Sequence, residues 1–235
     1  MPPVIWERNI KDTNVTIAMY SLREYNPVRG ERELDIRAPR GTVDILPGEV
    51  EKWQEIEKSA KKVFSLYNYK EIRTPVFEDT SLFERSIGTD TDIVDKEMYT
   101  FPDKKGRSLK LRPEGTASVV RAYLEHKLYA QGGLKKFFYI GPFFRYERPQ
   151  AGRNRQFYQV GAEAIGSDNP ALDAEVIKLS LNFLESVGLE KLRVVVNSIG
   201  CSACKPVYRK KLGEFLKDCL DKLCDDCKKR AVRNP

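Results

Sequence analysis

The sequence has no apolar run long enough to cross a membrane and no stretch typical of a secretory signal. A membrane-spanning helix needs roughly 20 consecutive apolar residues, and a signal peptide carries an apolar stretch close to the N-terminus; neither occurs in the 235 residues. Internal repeats and low-complexity tracts are also missing, which argues against a repeat architecture or a biased tail. With 41% hydrophobic residues and evenly spread aromatics, the chain is predicted to be a folded cytosolic protein that does not bind membranes.

Histidine is nearly absent, and acidic residues are fewer than basic ones. The 41 basic and 34 acidic residues give a formal charge of +7, which favours a polyanionic partner such as nucleic acid or nucleotide phosphates. The basic residues are scattered except for two clusters, at residues 135–136 and 228–233, and a solvated surface would explain both equally well. The sole histidine, His126, lies between Glu125 and Lys127 in a predicted helix, and we interpret it as a surface residue.

The N-terminal third of the sequence changes character near residue 36. Residues 1–35 show no sustained period of two or of 3.6, so we predict a poorly ordered extension. Over residues 50–67, apolar side chains recur every three or four positions, which predicts an amphipathic helix. Residues 69–77 alternate like a strand, and Pro75 restricts that strand to a sheet edge, which a second subunit would cover.

Three further elements are predicted in the rest of the chain. Residues 116–128 and 170–187 form helices by their apolar period, with Asn169 as N-cap and Gly188 at the C-terminal cap of the second helix. Residues 192–196 form a short strand. Strands that are joined by hairpins and flanked by helices indicate a mixed α and β fold with a largely antiparallel sheet.

A long hairpin is predicted over residues 136–147 and 155–163. Since side chains alternate along a strand, one face of its second strand carries Arg155, Phe157, Gln159, Gly161 and Glu163. Arg145 on the first strand reaches the same surface. This surface offers a guanidinium for phosphate, a ring for stacking, an amide, a small gap at Gly161 and a carboxylate. The spacing of these residues is equally consistent with a half-exposed sheet whose polar face contacts only water.

Several blocks of the sequence resemble those of histidyl-tRNA synthetases, which are class II aminoacyl-tRNA synthetases. Residues 144–157, FRYERPQAGRNRQF, are similar to motif 2 in its histidyl form, and residues 111–116, LRPEGT, resemble the histidine-site loop. Residues 38–44 resemble the N-terminal signature, and residues 86–101 resemble the stretch before the histidine-site loop. The helix and edge strand ending at Pro75 resemble motif 1, which builds the dimer interface. The resemblance implies an α+β class II synthetase-like fold, mainly an antiparallel sheet flanked by helices and incomplete at the C-terminus.

The resemblance also implies which residues bind ATP. Arg145 would be the catalytic residue, holding the α-phosphate and offsetting charge that develops in the transition state. Arg153 would lie near the terminal phosphates, Glu147 at the adenine amino group and Phe157 against the adenine face, with magnesium bridging the phosphates. Arg155 is left as a possible cross-strand ion-pair partner.

The histidine substrate is implied to bind through a second set of residues. Its amino group and imidazole would contact Glu114, Thr116, Gln159 and Glu163, although Thr116 can also cap the helix that it begins. The implied partners are histidine, ATP, tRNA-His and a second copy of the chain, which would dimerise through the motif 1-like segment.

The cysteines form two Cys-x-x-Cys pairs. Cys201 and Cys204 are followed after nineteen residues by Cys224 and Cys227, which is close to the spacing of four-cysteine zinc sites. We therefore predict a structural Zn²⁺ site, with four unliganded thiols at the ends of a helical hairpin as the alternative. Cys219 falls on an apolar stripe over residues 212–223 and is predicted to be a core residue.

These assignments divide the chain into three parts. Residues 1–35 are the extension, residues 36–200 a partial class II catalytic core with motifs 1 and 2, and residues 201–235 the start of an insertion domain that approaches the tRNA acceptor arm. Motif 3 and the anticodon-binding domain are expected beyond the chain, so it resembles a partial enzyme.

Two other functions fit the same resemblance. One is the synthetase-like regulatory subunit of ATP phosphoribosyltransferase, which binds histidine without charging tRNA. Its sequence usually differs at the position of residues 112–116, so this stretch favours the synthetase. The other is a non-catalytic fragment that dimerises or binds RNA.

Overall fold

A computed structural model describes residues 5–9, 16–20, 37–87, 98–148, 150, 152–197, 200–225, 227–228 and 231. The chain divides into two compact units, Met1–Leu172 and Asp173–Pro235. Within the described residues, no helix is both long enough and apolar enough to span a membrane.

The N-terminal segment contains two paired strands. β1 (Ile5–Asn9) pairs antiparallel with β2 (Thr16–Tyr20). Residues 1–35 were predicted to be a poorly ordered extension without a sustained period, and ten of them lie in these two strands. The other residues of the predicted 1–35 extension lie outside the described part of the chain.

The first helix of the core confirms the predicted amphipathic segment. α1 (Val50–Leu66) buries Ala60, Val63 and Phe64 on one face. Helical geometry ends at Tyr67, and Asn68 then adopts a φ of 63°, a left-handed angle that asparagine tolerates better than most residues.

The strand predicted over residues 69–77 is instead two strands in different sheets. β3 (Lys70–Glu71) and β4 (Phe77–Asp79) are separated by five residues that include Pro75. Proline has no amide proton for a ladder. The carbonyl oxygens of Thr74 and Pro75 instead accept hydrogen bonds from the Arg112 guanidinium. The prediction of one continuous strand was therefore wrong, although β3 does lie at a sheet edge.

Two three-stranded sheets make up the core of the first unit. After α2 (Thr80–Ile87), β5 (Thr100–Pro102) and β6 (Ser108–Leu111) join β4 in the order β4-β6-β5. The second sheet has the order β3-β7-β8, where β7 (Lys135–Phe144) and β8 (Gln156–Ile165) form the predicted hairpin. Only the β3–β7 pairing is parallel among these, so the largely antiparallel sheet is confirmed. Residues 88–97 of the block that resembles the family at 86–101 lie outside the described residues.

The helix predicted over residues 116–128 is shorter than expected. α3 (Thr116–Glu125) has His126 as its C-cap, and Lys127 takes a φ of 50° before a 3-10 helix at Leu128–Gln131. A side chain in this left-handed region cannot continue an α-helix, which explains the early end. His126 is exposed, as predicted for a surface residue.

Aromatic packing fixes which face of the hairpin points away from α1. The Phe64 ring lies 5.1 Å from the Phe138 ring, and Trp53 lies 4.9 Å from Tyr158, measured between ring centroids. Both hairpin residues occupy even-numbered positions of β7 and β8. The odd-numbered positions therefore face away from α1, and they carry the predicted site residues.

The second unit is helical. α4 (Pro170–Ser186) begins as predicted, with the Asn169 side chain accepting a hydrogen bond from the amide of Ala171 at 2.9 Å, and Gly188 follows its end with a φ of 89°. Residues 192–197 are not a strand, because no described strand pairs with them. α5 (Cys204–Lys217) ends before Cys219, which is half-buried in the following turn and not on one continuous helical stripe.

Candidate functional site

Arg112 anchors the loop that precedes α3. Its buried guanidinium donates to the carbonyl oxygens of Thr74 at 2.9 Å and Pro142 at 3.0 Å, and it lies 4.5 Å from the centroid of the Phe143 ring. Gly141 leaves room for it, since a Cβ there would lie 2.7 Å from the guanidinium. Arg112 therefore ties the loop to β7 and has a structural role.

Glu114 caps α3. Its two carboxylate oxygens accept hydrogen bonds from the backbone amides of Thr116 at 2.6 Å and Ala117 at 3.0 Å. A carboxylate at a helix N-terminus is stabilised both by these unpaired amides and by the helix dipole. The alternative that Thr116 caps the helix was wrong, because Glu114 occupies the amides and the Thr116 hydroxyl points elsewhere.

Thr116 connects the start of α3 to β8. Its hydroxyl donates to Glu163 Oε1 at 2.7 Å. Burial raises the pKa of Glu163, an effect that the Thr116 hydrogen bond opposes and that the nearby charge of Glu114 increases. Among the described residues, no lysine or arginine forms an ion pair with either carboxylate. This acidic corner would gain stability from a bound cation.

Tyr139 is a site residue that sequence reasoning missed. Its ring fills the space over Gly115 and Gly161, so the gap predicted at Gly161 is occupied, and that prediction was wrong. Burial, followed by the charges of Glu163 and Glu114, raises the pKa of Tyr139 to about 12. The same period of two that places Arg145 on this face places Tyr139 there too.

Arg145 links the acidic corner to the turn of the hairpin. Its Nε donates to the carbonyl of Pro113 at 3.0 Å, next to Glu114 in the chain. Its guanidinium lies 5.1 Å from the Phe157 ring centroid and 3.6 Å from Glu147. These contacts hold the fork of donors at one position while the side chain stays 28% exposed, so an anion can still reach it.

Glu147 lies between two arginines. Its carboxylate is 3.6 Å from Arg145 and 3.7 Å from Arg153, whose side chain is 66% exposed. The Arg153 guanidinium is exposed on the hairpin turn and can bind an anion from solution, whereas the Arg145 guanidinium is already held in place. The pair thus offers one rigid and one adaptable group for phosphates.

Arg155 joins the N-terminal signature to the hairpin. Its guanidinium lies 4.1 Å from the Tyr146 ring centroid and donates to the Glu147 carbonyl, so it forms no cross-strand ion pair with a described acid. The Gly41 carbonyl accepts the amides of Arg155 and Gln156. Gly41 has a φ of +84°, and a Cβ there would lie 2.7 Å from the Arg155 side chain, so both geometry and space require glycine.

The register of the hairpin confirms the predicted shared face. Directly opposite residues are Phe143 and Phe157, Gly141 and Gln159, Tyr139 and Gly161, and Phe137 and Glu163. Opposite side chains point to the same side of an antiparallel pair. At about 3.3 Å per residue, Phe157 and Glu163 lie roughly 20 Å apart along the strand, with half-buried Gln159 between them.

The structure does not bring the four cysteines together. Cys201 and Cys204 are close, with 3.5 Å between their sulfurs. Nowhere in the described ranges do three or more His, Cys, Asp or Glu side chains converge in a group that could hold a metal ion. The predicted zinc site is therefore not supported, because Cys-x-x-Cys spacing brings the members of each pair together but does not fix the distance between pairs.

Comparison with known proteins points to one family. A family model described as histidyl-tRNA synthetase matches residues 41–203. A histidine–tRNA ligase of Halothermothrix orenii is 61% identical over 202 residues, which are 86% of this chain and 48% of the relative. One of Geobacter metallireducens is 57% identical over 196 residues, 83% of this chain and 48% of the relative. The chain thus spans about half the length of these curated relatives.

Solved structures agree with the predicted class II synthetase-like α+β fold, which is confirmed. Apo histidyl-tRNA synthetase of S. aureus superposes with a TM-score of 0.67 at 44% identity, covering 85% of this chain and 47% of that one. A Bacillus halodurans protein described as an ATP phosphoribosyltransferase regulatory subunit/histidyl-tRNA synthetase has a TM-score of 0.62 at 22% identity over 86% of this chain and 55% of that one, which shows the fold alone. The chain belongs to the histidyl-tRNA synthetase family.

Proposed function

We propose that the chain provides the ATP- and histidine-binding part of a histidine–tRNA ligase. The observation that carries this proposal is the position of Arg145 beside the acidic corner. Glu114 and Glu163 meet at Thr116 without a described cation partner, while the Arg145 guanidinium is anchored to the residue that precedes Glu114. A site with an anionic corner next to a fixed cation suits a substrate that has an ammonium group and reacts at a phosphate.

The acidic corner would bind histidine. Its ammonium group would offset the charges of Glu114 and Glu163, and Gln159 on the same strand face offers an amide to a polar side chain. The histidine carboxylate would then attack the α-phosphorus of ATP. A bond forms between a carboxylate oxygen and phosphorus as the bond to the pyrophosphate oxygen breaks.

Arg145 would stabilise the charge that develops on the α-phosphate during this step. Its guanidinium is already held by Pro113 and stacked on Phe157, so little reorganisation is needed when the transition state forms. The adenine would lie against Phe157 with its amino group at Glu147, and Arg153 would contact the terminal phosphates. No described group of side chains holds a metal ion alone, so magnesium would bind chiefly to the ATP phosphates and offset their charge.

The second half-reaction and the assembly complete the proposal. The histidyl group would pass from the adenylate to tRNA-His in the cytoplasm, and the chain would act as a homodimer through the motif 1-like segment. The edge position of β3 and the exposed apolar side chains of Leu66 and, just after the segment, Phe77 support an interface there.

The test is histidine-dependent exchange of labelled pyrophosphate into ATP. The assay compares the 235-residue chain with a chimera in which this chain replaces the matching part of the Halothermothrix orenii ligase. We expect exchange by the chimera with histidine only, and Arg145→Ala should lower its rate by about 100-fold or more. Arg193→Ala, an exposed arginine outside the site, should leave the rate unchanged.

Three outcomes would contradict the proposal. An inactive chimera beside an active parent ligase would show that these residues do not form a working site. Histidine binding without exchange would instead favour a regulatory role, and loss of histidine binding by both proteins would favour a non-catalytic fragment.

A further inference from the structure

Two cysteine sulfurs are in contact at the start of α5. Cys201 Sγ and Cys204 Sγ lie 3.5 Å apart, and both residues are exposed free thiols. A disulfide bond has a length of about 2.05 Å, so these sulfurs need to approach by only about 1.5 Å to form one. A small movement of two exposed side chains is therefore enough to close a disulfide here.

The backbone fixes the position of both cysteines. The Cys201 carbonyl accepts a hydrogen bond from the amide of Lys205 at 2.9 Å, and the Cys201 amide donates to Cys204 Sγ at 2.9 Å. Gly200 has a φ of +75°, and a Cβ there would lie 2.6 Å from Cys204 Sγ. Conformation and space both favour glycine at that position, so the loop before α5 leaves room for the Cys204 sulfur beside Cys201.

Two adjacent, exposed thiols are suited to thiol–disulfide exchange. One cysteine thiolate attacks a sulfur of a small disulfide, a bond forms between these two sulfurs, the small disulfide breaks, and one small thiolate leaves with the electron pair. The second cysteine loses its proton and attacks the sulfur of the first, so the internal disulfide forms and the other small thiolate leaves. The two cysteines are oxidised, and the small disulfide is reduced to two thiols, which take up the two protons.

The charge of α5 favours an anionic reagent. Five basic residues and one acidic residue occur in this helix, namely Lys205, Arg209, Lys210, Lys211, Lys217 and Glu214. A basic surface raises the local concentration of anions and the rate at which they arrive. A small disulfide that carries carboxylates, such as oxidised glutathione, therefore suits this site better than a cationic disulfide such as cystamine.

We propose that Cys201 and Cys204 are a redox-active dithiol, a modification site that closes to an internal disulfide by exchange with an anionic small-molecule disulfide. The pair is separate from the residues assigned to ATP and histidine, so this inference goes beyond the proposed function and does not depend on it. A dithiol also needs only one pair of sulfurs, whereas the predicted zinc site needed both pairs to meet.

The first experiment oxidises the whole 235-residue chain with oxidised glutathione. The chain is reduced, freed of reductant without oxygen and incubated with the reagent, after which remaining thiols are alkylated and the peptides are identified by mass spectrometry. We expect the peptide that contains Cys201 and Cys204 to lose two hydrogens and to carry neither an alkyl group nor glutathione. Cys201→Ser and Cys204→Ser each lack the second thiol, so the remaining cysteine of the pair should retain glutathione.

The other cysteines provide the matched controls. Cys219→Ser, and the double variant Cys224→Ser with Cys227→Ser, should leave the internal disulfide unchanged. Two alkyl groups or two glutathiones on the pair in the unchanged chain would overturn the inference, because contact between the sulfurs would then be mere proximity. A bond from either member of the pair to any other cysteine would also overturn it.

The second experiment tests the charge of the reagent. The rate at which the pair loses its thiols is measured with oxidised glutathione and with cystamine at ionic strengths of about 0.01 M and about 1 M, between which the Debye length falls from about 30 Å to about 3 Å. We expect the rate with oxidised glutathione to fall about three-fold or more and the rate with cystamine to rise. The same response with both reagents, or the opposite pair of responses, would overturn the preference for an anionic disulfide.

Discussion

At the residue scale, Gly161 is the position where the smallest change should have the clearest effect. An alanine there would overlap the Tyr139 ring, which is held on its other side by Gly115. Overpacking of this kind typically costs about 1–3 kcal/mol. We expect Gly161→Ala to lower the free energy of unfolding by that amount in urea titrations of the 235-residue chain.

A glycine without neighbours provides the control for this change. Gly213 lies inside α5 with no heavy atom within 4 Å of the position of its Cβ. Alanine is favoured over glycine in a helix, so Gly213→Ala should leave the stability unchanged or raise it slightly. Equal stabilities of the Gly161→Ala protein and the unchanged chain would show that Tyr139 can leave its slot at no cost.

Individual site residues differ in how far the sequence reveals them. The period of two in a strand placed Arg145, Phe157 and Glu163 on one face. The register confirms this for Phe157 and Glu163, and Arg145, just beyond the end of β7, stacks on Phe157. The same period did not show that the Tyr139 ring packs over Gly161, because the direction of that side chain depends on packing against the loop before α3. The capping role of Glu114 likewise depends on where α3 begins, a boundary that an apolar period locates poorly.

At the element scale, the break between β3 and β4 depends on a side chain from a distant part of the chain. Arg112 donates to carbonyl oxygens at Thr74, Pro75 and Pro142, none of which it neighbours in sequence. The alternation of apolar and polar residues over 69–77 predicted one strand, because a local pattern contains no information about a hydrogen-bond donor as distant in sequence as Arg112. Residues 192–196 show the opposite error, since they alternate but have no described partner strand.

Replacing Arg112 should therefore lower the free energy of unfolding more than replacing a surface arginine does, because Arg112 holds the break between β3 and β4. Arg112→Met keeps an unbranched side chain in this buried position but leaves the three carbonyls without their donor, at a cost of about 3 kcal/mol. Arg112→Lys should restore little, because one ammonium group cannot reproduce a planar fork. The measurement is the free energy of unfolding in urea.

Arg73→Met is the matched control, since Arg73 is 77% exposed and forms an ion pair with Glu71. Exposed ion pairs contribute little to stability. A loss of stability in this control as large as that in Arg112→Met would show that the break does not depend on Arg112.

At the scale of the whole molecule, the family follows from several separate sequence blocks, whereas the arrangement of the cysteines does not. Each block resembles the family by its own residues, and the family match extends over residues 41–203. The distance between the two cysteine pairs depends instead on how α5 and the turn after Lys217 fold. Short-range spacing holds no information about that path, which is why the spacing predicted a zinc site that the described residues do not support.

Assembly is the remaining property of the whole molecule that the structure bears on. The motif 1-like segment carries an exposed apolar side chain at Leu66, and two more, Val76 and Phe77, follow it directly. β3 also leaves one strand edge uncovered among the described residues. Such a surface is unfavourable in water and typical of an interface. We expect light scattering to give a mass of about 54 kDa, twice the 27.0 kDa of the chain.

A charge within this surface should separate the subunits. Phe77→Glu places a carboxylate at a side chain that is 49% exposed in the single chain, and burying it in a dimer would require desolvation without a partner. We expect a mass near 27.0 kDa for this variant at micromolar concentration. Leu124→Glu adds the same charge on α3, outside this surface, and should stay dimeric. Dissociation of both variants would place the interface elsewhere, and a monomeric unchanged chain would contradict the predicted dimer.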